Sequence, residues 1–227
     1  MTLPILSAGA AKAVVTALAA QAGVTLNAAF GAVGAIQDKL LAGEPCDVIV
    51  LTRAMIDALA TQGRVHKDSI GDLGRVRTGV AVKTGVPLPD TASAAGLRAA
   101  LLAADAIYVP DTVKSTAGKH VATVLDSLGI AEEVRGRLRE FPNGAAAMRA
   151  MGEAPGQGAI GCTQISEILY TGGITLIGPL PAEFELATVY SAAVCAQATN
   201  TVDARRFVAL LSGESTRPLR SKSGFEV

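Results

Sequence analysis

The residues best suited to chemistry in this chain lie where apolar runs turn into helical patterns. His120 follows Ser115-Thr116-Ala117-Gly118 and is one of only two histidines. An imidazole titrates near neutral pH and is the usual general acid or base. Cys162 closes the run Gly158-Ala159-Ile160-Gly161 and precedes a helical pattern, a place where a thiol's pKa falls. Each has a plainer alternative, an exposed helix histidine and a packed core cysteine, and the residue types alone do not decide. Around them stand neutral donors and small residues suited to holding an anion: Ser7, Ala8 and Gly9; Ala32, Val33 and Gly34; Ser115, Thr116, Ala117 and Gly118; Asn143; and Cys162, Thr163 and Gln164. Positive charge comes from Arg75, Arg77, Lys114, Lys119 and His120, with arginine the better carboxylate clamp because its guanidinium is planar and bidentate. Thr78 sits at the start of an alternating strand. The chain has no Ser-His-Asp set, phosphate-binding loop or metal-ligand spacing, so hydrolase, kinase and metalloenzyme chemistry and any cofactor are not expected.

These residues need elements to position them. Short apolar runs at 3–7, 24–30 and 47–51 alternate with helical patterns at 10–22, 35–42 and 53–62. That βαβαβ order predicts an open, mainly parallel sheet flanked by helices. A second series follows: strands at 76–83, 106–109, 158–161, 175–177 and 185–195, and helices at 93–103, 116–127, 131–139, 143–151, 163–170 and 202–211. In such sheets ligands bind beyond the carboxyl ends of the strands, where helix N-termini offer free N–H groups and partial positive charge. The four corners Ser7-Ala8-Gly9-Ala10, Ala32-Val33-Gly34-Ala35, Ser115-Thr116-Ala117-Gly118 and Cys162-Thr163-Gln164 are of this kind. Glycine and serine are also ordinary turn residues, so the corners make an anion site only if the fold gathers them.

Composition narrows the class. Half of the 227 residues are hydrophobic and 18% are charged, which is ample for a buried core. Aromatic residues make up 4% and tryptophan is absent, leaving alanine, valine, leucine and isoleucine to pack helices on strands. Twenty basic residues balance twenty acidic ones, which disfavours a nucleic-acid partner. No stretch is long and apolar enough to insert into a membrane. The three cysteines, Cys46, Cys162 and Cys195, have no metal spacing and read as reduced, buried thiols, with one disulfide and a leftover thiol as the alternative. The opening MTLPILSAGA has no basic segment or cleavage site, so the chain as written reads as cytoplasmic. A periplasmic protein relieved of its leader reads the same way.

Several segments together resemble the periplasmic molybdate-binding proteins and the wider ModA-like group of type 2 solute-binding proteins. They are FGAVGAIQDKLLAGEPCDVIVLT at 30–52, RVRTGVAVK at 75–83, VPDTVKSTAGKHVATVLDSLGI at 109–130 and GAIGCTQISEIL at 158–169. The resemblance runs almost end to end. It implies a two-lobe α/β fold, with lobe one at 1–78 and 188–227, lobe two at 79–187, two crossover strands as hinge, and ligand in the cleft. It also implies a small anionic ligand and, for an exported chain, a membrane transporter of the ABC type as partner.

The departures from the family pattern are specific. Molybdate binders place a serine hydroxyl in each of the first two corners, where this chain has Gly9 and Ala32-Val33; the tyrosine the family often supplies aligns with Cys162. Each lost hydrogen bond to a buried dianion costs roughly 1.5–3 kcal/mol. An organic carboxylate is therefore the expected ligand rather than molybdate. Some proteins of this group instead isomerise unsaturated tricarboxylates such as aconitate. That resemblance gives the alternative expectation, an isomerase moving a proton across an allylic system, with His120 and Cys162 as candidate catalytic residues.

Overall fold

The computed structural model describes residues 2–227. In chain order the elements are β1 (Thr2–Ala8), α1 (Lys12–Gln21), β2 (Thr25–Gly31), α2 (Val33–Leu41), β3 (Val48–Thr52), α3 (Arg53–Thr61) and β4 (Gly71–Lys83). They continue as α4 (Ala94–Ala103), β5 (Ala106–Pro110), α5 (Thr116–Ser127), α6 (Ala131–Val134), β6 (Leu138–Phe141), α7 (Gly144–Glu153) and β7 (Ala159–Gln164). The last are α8 (Ile165–Tyr170), β8 (Ile174–Pro179), β9 (Ala187–Val194), α9 (Thr201–Ser212) and α10 (Arg217–Lys222). The chain divides into two compact units: the part up to Val76 together with Thr188–Val227, and Arg77–Ala187.

In the first unit β1 runs parallel to both β2 and β3, and β9 returns antiparallel against β3. Val48, Ile49, Val50 and Leu51 are fully buried, as a strand covered on both faces must be. Helix α1 buries Val14, Val15, Leu18 and Ala19 and ends before Gly23, whose φ of 64° closes the helix in a conformation that costs glycine nothing.

In the second unit β5 lies parallel to β6 and β7, while β4 pairs antiparallel with β7 and β8. One face of this sheet, carrying Val80, Ile107, Ile160 and Cys162, packs under Leu97 and Leu101 of α4 and Val121 and Leu125 of α5. The other face carries Ala81 and Ala159 and meets Met148 and Met151 of α7 and Ile168 of α8. Burial on both faces explains why these strands read as short apolar runs without alternation.

The structure departs from the sequence reading in four places. The helix expected over 131–139 stops at Val134, passes through a 3-10 turn, and becomes the strand β6. Strand β7 runs on to Gln164, so Thr163 and Gln164 belong to a strand end rather than to a helix. Strand β4 begins at Gly71, ahead of the expected 76. The sequence reading has no counterpart for α10, whose Arg220 is buried and donates to the carbonyls of Leu73 and Gly213 at 2.6 and 2.9 Å. No helix of the described residues is long and apolar enough to cross a membrane.

Candidate functional site

In the first unit the two corners at the ends of β1 and β2 share one property. Helices α1 and α2 begin without a side-chain cap, and so does the 3-10 turn Gly9–Ala11 that leads into α1. By contrast α3, α4, α5, α7 and α9 are capped by Thr52, Ser93, Ser115, Asn143 and Asn200. Uncapped first-turn N–H groups seek an acceptor. Ser7 is fully buried, and its hydroxyl donates to the Ala8 carbonyl at 3.1 Å. Ala8 and Gly9 follow it into the turn, both buried. At the second corner Ala32 holds the extended cap position, Val33 is buried, and Gly34 lies within the first turn of α2. Arg75 is engaged elsewhere: its Nε and Nη2 donate to Glu226 at 2.9 and 2.7 Å, beside a backbone bridge between the same two residues.

Lys12, which the sequence reading passed over, opens α1 with its ammonium 5.6 Å from the centre of the Phe30 ring. Phe30 is the register partner of Ser7, so this cation–π pair stands beside the first corner. A lysine in the first turn opposes the helix dipole, and that mismatch is a signal the sequence carried.

In the second unit the sharpest feature is a pair of facing residues. Thr78 on β4 is the register partner of Gln164 at the end of β7. Directly opposite residues on antiparallel strands share a face. Thr78 is 1% exposed and Gln164 is 2% exposed, yet Thr78 Oγ1 and both Nε2 and Oε1 of Gln164 have no hydrogen-bond partner. Buried polar atoms are nearly always paired in the working molecule. Three such atoms lie on these two facing side chains, and the buried hydroxyls of Ser166 and Thr188 are likewise without a partner.

The remaining expected residues make hydrogen bonds within their own unit. Ser115 caps α5 by accepting from the Gly118 N–H at 3.4 Å, with Thr116 and Ala117 between them. A side chain on Gly118 would come within 2.2 Å of the Asp111 carbonyl, so only glycine fits there. Asp111 in turn accepts from the N–H groups of Lys114 and Val113, both at 2.7 Å, and these hold its carboxyl below the usual carboxylate range. Asn143 caps α7 through the Ala146 N–H at 2.9 Å. Thr163 is fully buried and donates to Glu167 Oε2 at 2.7 Å.

Glu167, also absent from the sequence reading, fills the α7 N-terminus with the chain's own carboxylate. It accepts from the Ala145 N–H at 3.4 Å as well as from Thr163. Burial raises its pKa, against the lowering effect of the Thr163 hydroxyl and the Ala145 and Gly144 N–H groups. Thr163 therefore serves the internal carboxyl of Glu167, while Asn143 caps the same helix α7.

The two candidate catalytic residues lie in different settings. His120 is on the second turn of α5, half-buried, with Nε2 2.7 Å from the Phe184 carbonyl. A carbonyl only accepts, so Nε2 carries the proton and Nδ1 is the basic nitrogen. Cys162 lies inside β7 within the apolar core, where burial pushes its thiol up to about 12. That is the reverse of the fall a helix N-terminus produces, because β7 continues two residues past Cys162 before α8 begins.

Cavities of about 460 Å³ in the second unit and about 290 Å³ in the first are lined by other residues: Arg77, Pro89, Leu180 and Glu185 around the larger, and Cys46, Arg64 and Cys195 around the smaller. Among the described residues no group of three or more histidine, cysteine, aspartate or glutamate side chains is placed to hold a metal ion.

Known proteins share both sequence and fold with this chain. Residues 3–226 match the family model described as bacterial extracellular solute-binding protein. An aconitate isomerase from a Pseudomonas species is 28% identical over 194 residues, covering 85% of this chain and 71% of that protein. The periplasmic molybdate-binding protein of Azotobacter vinelandii superposes with a TM-score of 0.80 at 17% identity, covering 99% of each chain. The sulfate-binding protein SubI of Mycobacterium tuberculosis superposes with a TM-score of 0.72 at 19% identity, covering 99% of this chain and 86% of that one. At these identities the superpositions establish the two-lobed binding-protein fold of the ModA-like group and no more.

Proposed function

The chain belongs to the bacterial extracellular solute-binding protein family, and on that premise we propose that it binds a small organic carboxylic acid in preference to molybdate or sulfate. The observation that carries this reading is the Thr78–Gln164 pair. A tetrahedral oxyanion presents only acceptors. It suits the amide Nε2 and the hydroxyl of Thr78, but it sets an oxygen against Gln164 Oε1, itself an acceptor. A hydroxy acid, or a polycarboxylic acid with one carboxyl protonated, presents donor and acceptor together and satisfies all three atoms. Within the first unit, the uncapped starts of α1 and α2 and the ammonium of Lys12 form a separate setting that suits an ionised carboxylate.

The family description, of extracellular proteins, supports a location outside the cytoplasmic membrane and delivery of the ligand to a membrane transporter. A thermal-shift screen tests the reading. A di- or tricarboxylic acid at about a hundred times its Kd adds roughly 2.7 kcal/mol, a rise of about 5–10 °C. Molybdate and tungstate are expected to leave the transition in place; a strong rise with micromolar molybdate would overturn the proposal.

The 28% identical aconitate isomerase supports a second reading, in which the bound acid is unsaturated and is turned over. Moving a double bond along an allylic system requires one proton removed and one returned, with the transient negative charge held by N–H donors. His120 is the candidate base, through the Nδ1 that its bond to Phe184 leaves available. Cys162 has no part in this scheme, because a core thiol pushed up to about 12 stays protonated. An NMR time course of cis- and trans-aconitate with the protein decides it. Interconversion lost in His120→Gln supports the isomerase, and unchanged spectra with the intact chain remove aconitate as a substrate.

A further inference from the structure

Cys46 and Cys195 both belong to the first unit, and their sulfurs lie 3.3 Å apart although 149 positions separate them in the chain. The backbone enforces this approach. The Cys195 N–H donates to the carbonyl of Asp47, the residue after Cys46, at 3.0 Å, and Asp47 in turn donates to Pro4 at 2.8 Å. Cys195 also pairs with Val65 as an antiparallel bridge, and the next N–H, of Ala196, donates to the Arg64 carbonyl at 2.9 Å. The two thiols are thus held by ladders on either side. A disulfide has sulfurs about 2.05 Å apart, so closure needs a movement of about 1.3 Å, within reach of side-chain rotation. Both thiols are buried, and both line the cavity of about 290 Å³, which gives a reagent a route to them past Pro45, Arg64 and Gln197.

We propose that Cys46 and Cys195 form a reversible modification site, a dithiol that a low-molecular-weight or protein disulfide converts to an intramolecular disulfide. The bond ties the end of β9 to the residues that lead into β3, and it stands independently of the ligand reading. Cys46, 7% exposed against 2% for Cys195, is the more accessible of the two and is the first attacker. Its thiolate attacks one sulfur of the oxidant R–S–S–R, forming a mixed disulfide and expelling RS⁻, which takes up the proton Cys46 lost. The Cys195 sulfur then attacks the Cys46 sulfur of the mixed disulfide and displaces the second RS⁻, which takes up the Cys195 proton. Two protein thiols lose two electrons in all, and the oxidant is reduced to two RSH. In the reduced protein the hydrogen bond to Cys46, followed by burial, pushes the Cys195 thiol up, and a thiolate is the attacking form, so oxidation accelerates as pH rises.

Mass spectrometry of the full chain tests this. The folded protein is incubated with oxidised glutathione at pH 8, quenched in acid, and then denatured with an alkylating agent. The expected result is one alkylated cysteine, Cys162, a mass lower by two hydrogens before alkylation, and a digest peptide joining Cys46 to Cys195. The oxidised form should melt roughly 5–10 °C above the reduced form, reversibly with dithiothreitol. Cys162→Ser should behave as the parent, while Cys46→Ser or Cys195→Ser should show no joined peptide and no oxidant-dependent shift. Three alkylated cysteines after exhaustive exposure would overturn the proposal, as would stable glutathione adducts on Cys46 or Cys195 without the joined peptide.

Discussion

Thr78 and Gln164 give opposite predictions for stability and for binding, and this separates a ligand site from a packing defect. Replacing Thr78 by valine keeps the shape and removes an unpaired buried hydroxyl, whose burial costs about 1–3 kcal/mol. The ligand-free protein should melt about 2–4 °C higher per kcal/mol recovered, while affinity for a carboxylic acid falls about tenfold. Gln164→Leu should act in the same two directions, with the larger loss of affinity. A variant that lost stability and kept affinity would assign the pair to packing. Gln164 was legible as a corner residue in the sequence and Thr78 as a residue at the start of a strand. Their lack of partners was not, because a partner is a property of neighbours that strand pairing supplies. Glu167 was hidden for the same reason: nothing in TQISEIL says that its carboxylate turns inward to the start of α7.

At the scale of elements, the junction of β7, α8 and α7 carries the next predictions. The folded pKa of Glu167 is raised above its ordinary value of 4.5. A raised carboxyl pKa contributes stability that is fully present below the unfolded pKa and is lost as pH rises through the folded one. The difference in melting temperature between Glu167→Gln and the parent should therefore move in favour of the variant as pH rises from about 4.5 upward; parallel melting curves across that range would contradict it. Gly144 opens α7 where a side chain would come within 1.9 Å of Thr163 Oγ1 and 2.1 Å of Glu167 Oε2. Gly144→Ala should cost about 1–3 kcal/mol by overpacking, read as a lowered denaturant midpoint at unchanged slope. Strand β6 is hidden in the sequence because AEEVRGRLRE is rich in good helix formers. Its four-residue strand at the sheet margin instead keeps Arg139 and Glu140 in solvent, which suits an edge. The long apolar strands and their glycine-stopped helices were readable from period and punctuation alone.

For the molecule as a whole, the fold was legible because motif order along the chain survives where individual ligand residues do not. The chain keeps the fold of the molybdate binder at 17% identity, and the family pattern it resembles has serines where this chain has Gly9 and Ala32-Val33. The proposed ligand is a carboxylic acid that carries a donor of its own. Isothermal titration of the intact protein, with the best carboxylic acid from the thermal screen and in parallel with molybdate, tests this most directly. A micromolar or tighter carboxylic acid complex is expected, with molybdate binding at least about 100-fold weaker, the consequence of two lost hydrogen bonds. Molybdate binding as tightly as the carboxylic acid would contradict it.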